Sequence, residues 1–190
     1  MNDAEFLADY EVRLGRAVKI GPQEVHAISL LRDAWRARAA AGCKVMLFGN
    51  GGSAAIAQHI ATDLTKNGGV PAVTLDASAI TCLANDFGHE KWMAEGLRLW
   101  HRPGDFVVAI SSSGRSPNVL ALADRAHALG LELATFSGFA PDNPLRGRGQ
   151  IDFWVDSRAY NIVETVHQFW LMAAIDLLIG RAEYPASPAR

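Results

Sequence analysis

The sequence predicts an α/β protein: a three-layer sandwich around a mostly parallel five-stranded sheet. Two observations carry this reading. From residue 44 to residue 180, short apolar runs alternate with longer stretches of helical periodicity, as in parallel strands joined by crossover helices. Two of the runs lead into turns of small residues, Gly49–Ser53 and Ser111–Ser116, that open helices. Ligands in such folds bind beyond the carboxyl ends of the strands. The 190 residues, 49% hydrophobic and 20% charged, suffice for one domain with a proper core. Residues 1–190 therefore read as a single domain, with N-terminal helices over 1–40, an α/β core over 44–180 and a tail over 181–190.

Residues 3–18 place Phe6, Tyr10, Leu14 and Val18 at helical spacing, and Val25, Ile28, Leu31 and Trp35 repeat likewise after Pro22. Two such helices exceed what a small core covers, so they are expected to serve oligomerisation. Val45–Phe48 is a buried strand, Gly49–Gly52 a turn, and Ser53–Lys66 a helix. Asn67-Gly68-Gly69 ends that helix, and Val70–Leu75 reads as the second strand. A short helix over Ser78–Asn85 runs into the turn Asn85-Asp86-Phe87-Gly88, followed by a helix over His89–Trp100 and a strand over Asp105–Ile110. Asn118–Leu129 carries apolar residues on one helical face. Glu132–Phe136 and Ile151–Val155 are the last strands, separated by a Pro/Gly-rich surface loop over Phe139–Gly149. Asn161–Ile179 closes the domain as a long apolar helix, and the proline-bearing tail is expected to fray.

A formal net charge of −2 and the lack of a basic run argue against a nucleic-acid partner. Cys43 and Cys82 have no Cys-x-x-Cys spacing, so neither a disulfide framework nor a zinc ribbon is expected. The charged, amphipathic N-terminus is unlike a signal peptide, and no apolar run is expected to span a membrane. The expected location is the cytoplasm.

Three groups of residues can carry chemistry. The turn Gly49-Asn50-Gly51-Gly52-Ser53 offers an anion the free N–H groups and positive end of a helix, although such glycines also serve a plain chain reversal. Ser111, Ser112, Ser113 and Ser116 place several hydroxyl donors at the second turn, where serines also cap helices. That turn fits neither a Walker A nor a G-x-G-x-x-G pattern, so no nucleotide cofactor is expected. The third group spans two helices. His59 and Asp63 lie four apart, and Glu164, His167 and Gln168 lie toward one face of the apolar last helix. Two histidines and two carboxylates can bind zinc or another divalent metal, can shuttle protons, or can simply bond neighbouring segments. His26, His89, His101 and His127 are assigned no role, and the tryptophans read as core or interface mass.

With these residues in view, the chain resembles the sugar isomerase (SIS) domain family and, within it, the phosphoheptose isomerases. The resemblance rests on Phe48-Gly49-Asn50-Gly51-Gly52-Ser53, Ala84-Asn85-Asp86-Phe87-Gly88 and Ile110-Ser111-Ser112-Ser113-Gly114-Arg115-Ser116-Pro117-Asn118-Val119, in this order and spacing. It implies a flavodoxin-like sandwich, a homotetramer with active sites between subunits, and interconversion of sedoheptulose 7-phosphate with an aldose phosphate. It further implies a phosphate held by Ser111, Ser112, Ser113 and Ser116. Asn50, Gly51, Gly52 and Ser53 would line the sugar site, and Asp86 would contact sugar hydroxyls.

The resemblance departs at the catalytic positions. The family carries a glutamate where this chain has Asp63, and a glutamine and a histidine where it has Glu164 and Met172. The expectation is that Asp63 or Glu164 is the base, with His59 and His167 as metal ligands or proton carriers. The loss at Met172 leaves a second reading, a non-catalytic SIS module that binds sugar phosphate or protein.

Overall fold

The computed structural model describes residues 2–185, so residues 186–190 of the expected tail lie outside the described part. Five strands form one parallel sheet in the order β2-β1-β3-β4-β5: β1 Val45–Gly49, β2 Ala72–Val73, β3 Phe106–Ser111, β4 Glu132–Gly138 and β5 Ile151–Val155. Seven helices are described: α1 Asp3–Ala17, α2 Pro22–Ala40, α3 Gly52–Lys66, α4 Ala77–Phe87, α5 Trp92–Trp100, α6 Pro117–Ala128 and α7 Tyr160–Ile179.

The apolar runs are continuous because each central strand is covered on both faces. Val45 and Leu47 of β1 enter one core with Trp35 of α2, Ile60 and Leu64 of α3, and Trp170 and Leu171 of α7. Met46 and Phe48 enter the other core with Leu83 of α4, Met93 and Leu97 of α5, and Leu122 of α6. This alternation divides a uniformly apolar strand between two layers. The three-layer, five-stranded expectation is met, and the sheet is wholly parallel.

Four expectations need correction. The second strand shrinks to Ala72–Val73. Pro71 has no N–H to give, and Thr65 Oγ1 both accepts from Ala72 N (2.9 Å) and donates to Ala72 O (3.2 Å), so a side chain takes the place of a ladder. Asp86 lies in the last turn of α4, not in an open turn; the chain leaves that helix at Gly88, with φ at +83°. Of the N-terminal helices, α2 buries Ile28, Leu31 and Trp35 in this chain's own core, whereas α1 buries none of its residues. Finally, α7 is long and apolar enough by composition to cross a membrane. Its Ile162, Val166, Trp170, Leu171 and Ala174 instead pack into the core beside β4 and β5, which makes it a core helix.

At the amino edge of the sheet, Lys44 and Asp105 join the entries of β1 and β3. Asp105 is 2% exposed; it pairs with the Lys44 ammonium and accepts from Lys44 N (2.9 Å) and Arg102 N (2.7 Å). Burial pushes its carboxyl up, and these bonds together outweigh burial and hold it below the ordinary value.

Candidate active site

Strand order places a crevice between β1 and β3. The chain leaves β1 for α3 on one face and leaves β3 for α6 on the other, so the two turns diverge at a topological switch point. Gly49 stands beside Ile110 in the ladder, which brings the glycine turn and the serine turn side by side. A reciprocal amide pair ties them: Asn50 Nδ2 donates to Asn118 Oδ1 and Asn118 Nδ2 donates to Asn50 Oδ1, both at 2.9 Å. Asn118 Oδ1 also accepts from Val119 N at 3.0 Å, which anchors the pair to the first turn of α6.

Each turn presents a helix start. α3 begins after Gly51, at φ +51° and ψ −122°, and no side chain caps it. α6 begins with Pro117 after Ser116, whose side chain does not cap it; the Ser116 hydroxyl accepts from Ser111 Oγ at 3.2 Å, and the Asn118 side chain takes Val119 N. Ser53, Ser111 and Ser112 are buried, and the Ser112 hydroxyl has no hydrogen-bond partner. Buried hydroxyls are nearly always paired, so this one can take a partner from outside the chain. Two helix starts and a spare buried hydroxyl suit a phosphate.

Glu164 completes the crevice from α7. A β-carbon on Gly52 would stand 2.3 Å from Glu164 Oε2, so the carboxylate rests directly on the start of α3. One turn on, Gln168 Nε2 meets His59 Nδ1 at 3.1 Å, and His59 Nε2 meets Asp63 Oδ2 at 3.1 Å. Asn67 Nδ2 donates to Asp63 Oδ1 at 3.3 Å. Met172 adds only its sulfur, 3.7 Å from Gln168 Nε2. Burial and the negative charge of Asp63 raise the Asp176 carboxyl, against a bond from Tyr184 that lowers it. At 1.5 Å per residue, His59 is about 10 Å and Asp63 about 16 Å along α3 from Gly52.

His167 does not join this group. Three residues from Glu164 is one-sixth of a turn short of a full circuit, and that offset points the ring into the core. Its Nε2 bonds the carbonyl of Ser137 at 3.0 Å, its edge meets Phe136, and it is fully buried. The expected roles of His167 as catalyst and metal ligand are therefore corrected to a core role. Burial lowers its pKa to about 4, against the carbonyl bond, which raises it. An NMR titration is expected to find its ring neutral down to about pH 4. Because the unfolded state protonates more readily, its contribution to stability is present above about pH 6.5 and is lost as pH falls through about 4. His167→Gln should flatten that part of the stability profile.

Without His167, and with Glu164 resting at Gly52, only His59 and Asp63 of the expected metal set meet. Among the described residues no three His, Cys, Asp or Glu side chains converge, so one chain does not assemble the zinc site expected from its sequence. Asp86 is exposed and accepts from Asn85 Nδ2 at 2.9 Å. A cleft of about 1110 Å³ lies elsewhere, lined by residues of α1, α2 and β5.

One contributor was missed: Asn143, in the loop expected to lie on the surface. It is 3% exposed and packs against Gly114 of the serine turn. Its only sequence signal is its place in a proline-flanked polar stretch, common to many exposed turns.

Fold and site define a class: a doubly wound α/β domain with two small-residue turns side by side at the β1/β3 switch point. The SIS domain family matches over residues 14–138, and the chain belongs to that family. It is 34% identical over 158 residues to a phosphoheptose isomerase of Streptomyces coelicolor, covering 78% of this chain and 68% of the relative. It is 43% identical over 106 residues to one of Paramagnetospirillum magneticum, covering 52% of this chain and 55% of that protein. The chain thus spans little more than half the length of the latter relative. The solved phosphoheptose isomerase of Neisseria gonorrhoeae superposes with a TM-score of 0.77 at 27% identity, covering 92% of this chain and 95% of that one.

Proposed function

We propose that the chain is an aldose–ketose isomerase of a phosphorylated sugar, acting on sedoheptulose 7-phosphate or a close relative to give D-glycero-D-manno-heptose 7-phosphate. The observation that carries this reading is the unpaired, buried Ser112 hydroxyl in the turn between β3 and α6, beside the turn that opens α3, where Glu164 rests. The serine turn takes the phosphate and Asn50–Ser53 the sugar, with Asp86 toward its hydroxyls. Relatives that carry the phosphoheptose isomerase name support the substrate class.

In the open-chain ketose, Glu164 removes a proton from C1 and returns it to C2. O2 gains a proton as O1 loses one, through an enediol whose developing charge faces the free N–H groups of α3. His59, held by Asp63 and Gln168, is the group assigned to move the oxygen-bound proton. Zinc or another divalent metal remains the proposed cofactor, which His59 and Asp63, the two members of the expected set that meet among the described residues, would help to hold. The cytoplasm is the proposed location. A homotetramer is the proposed assembly, because α1 leaves Phe6, Leu7 and Val12 exposed for a partner.

Incubation with a panel of ketose 7-, 6- and 5-phosphates, followed by NMR, is expected to show turnover of a 7-phosphate. Turnover of none would sink the isomerase reading. Met172, where the family has an imidazole, favours the alternative of a binding module. Ligand binding without turnover would establish that alternative.

A further inference from the structure

We infer that Asn143 is the positioning residue of the serine turn, and that the loop over residues 139–149 is a brace for phosphate binding. This inference rests on the phosphate site proposed above. The turn between Ser111 and Ser116 is fixed at its ends by β3 and α6. Between them its shape depends on Gly114, whose φ is +63° and whose N–H closes the turn onto Ser111 O at 2.9 Å. What holds Gly114 from outside is the loop after β4. Leu145 N donates to Gly114 O at 3.1 Å, and the Asn143 side chain fills the space a β-carbon would take, 1.8 Å from where that carbon would stand.

Asn143 uses both ends of its amide. Oδ1 accepts from Leu145 N (3.2 Å) and Arg146 N (3.0 Å), which sets the very backbone that bonds Gly114. Nδ2 lies 2.9 Å from Ala140 O, 3.2 Å from Gly138 O and 3.2 Å from Ser137 Oγ. Those last contacts root the brace in β4, whose Ser137 is the ladder partner of Ser111. Gly138 closes the circuit, since a β-carbon there would stand 3.1 Å from Ser112 O. One buried side chain thus links the end of β4, the backbone of the brace and the glycine on which the turn pivots. Phe139, at φ +61°, holds a left-handed conformation at the root of the brace, with its N–H on Ser157 O at 2.9 Å. Such a conformation persists only where its surroundings impose it.

The test is titration of the full chain with inorganic phosphate, comparing the unsubstituted protein, Asn143→Ala and Leu97→Ala. Leu97 of α5 is fully buried in the second core and belongs to neither the brace nor the serine turn, so its truncation lowers stability alone. Asn143→Ala is expected to weaken phosphate binding about tenfold. Leu97→Ala should lower the thermal midpoint at least as much and keep the affinity. In turnover, Asn143→Ala should raise KM and leave kcat nearly unchanged, a split that simple loss of folded protein would not produce. Equal phosphate affinity in Asn143→Ala and the unsubstituted chain overturns the inference, as does a loss shared by both variants in proportion to their stability. No phosphate binding by the unsubstituted chain would overturn the site itself, which separates the two failures.

Discussion

Glu164→Gln is expected to lower kcat by about 10²- to 10⁴-fold, the range for loss of a positioned general base, with KM little changed. The substitution keeps the shape of the side chain and removes only its ability to take a proton. The fold should be untouched, because the side chain is half-buried at a helix surface and does not lie in either core. A second substitution reaches the same group from the other side. Gly52→Ala places a methyl group 2.3 Å from Glu164 Oε2, so the carboxylate must move off the start of α3. Its kcat should fall as well, and by less, since a displaced base retains some reach. Steady-state kinetics of both variants check the assignment. Unchanged turnover in Glu164→Gln would return the role of base to Asp63.

Asp105→Asn carries the largest expected cost in stability, about 3–5 kcal/mol, the range for leaving one member of a buried ion pair without its partner. It removes the charge that Lys44 faces at the entry to β1 and β3. Denaturant unfolding should show the loss directly. The pH dependence has a definite sign. The folded carboxyl titrates below its unfolded value, so its stabilising effect is present above about pH 4 and is lost as pH falls through the lower folded value. That acid limb should be absent in Asp105→Asn. Phosphate affinity of the folded variant should be unchanged, because Asp105 lies at the opposite edge of the sheet from the crevice.

The architecture was legible in the sequence because its signals are local. Val45–Phe48 and Phe106–Ile110 are uniformly apolar, and small-residue turns follow each. Parallel order then brings Asn50 and the serines to one edge. The limits of that legibility are equally physical. Helical spacing grouped His167 with Glu164, yet an offset of three residues leaves a side chain sixty degrees from alignment, enough to separate a core position from a groove. The second strand failed because Thr65, a side chain seven residues upstream of Ala72, satisfies groups a strand would have paired. The contact of Glu164 with Gly52 and the bracing by Asn143 join positions distant in sequence or buried by tertiary packing. No periodicity encodes them.

The place of α7 in the first core bears on how the protein is made. This helix is the last described element, yet it covers side chains of α2 and α3 that emerge early in synthesis, Leu31, Trp35 and Ile60 among them. A nascent chain must therefore wait for α7 before that apolar layer is closed. Fragments that stop before Tyr160 would expose the layer and be drawn into aggregation or chaperone capture. The same delay means that the crevice gains its carboxylate only once α7 has been made, so chemistry and the completed core arrive together.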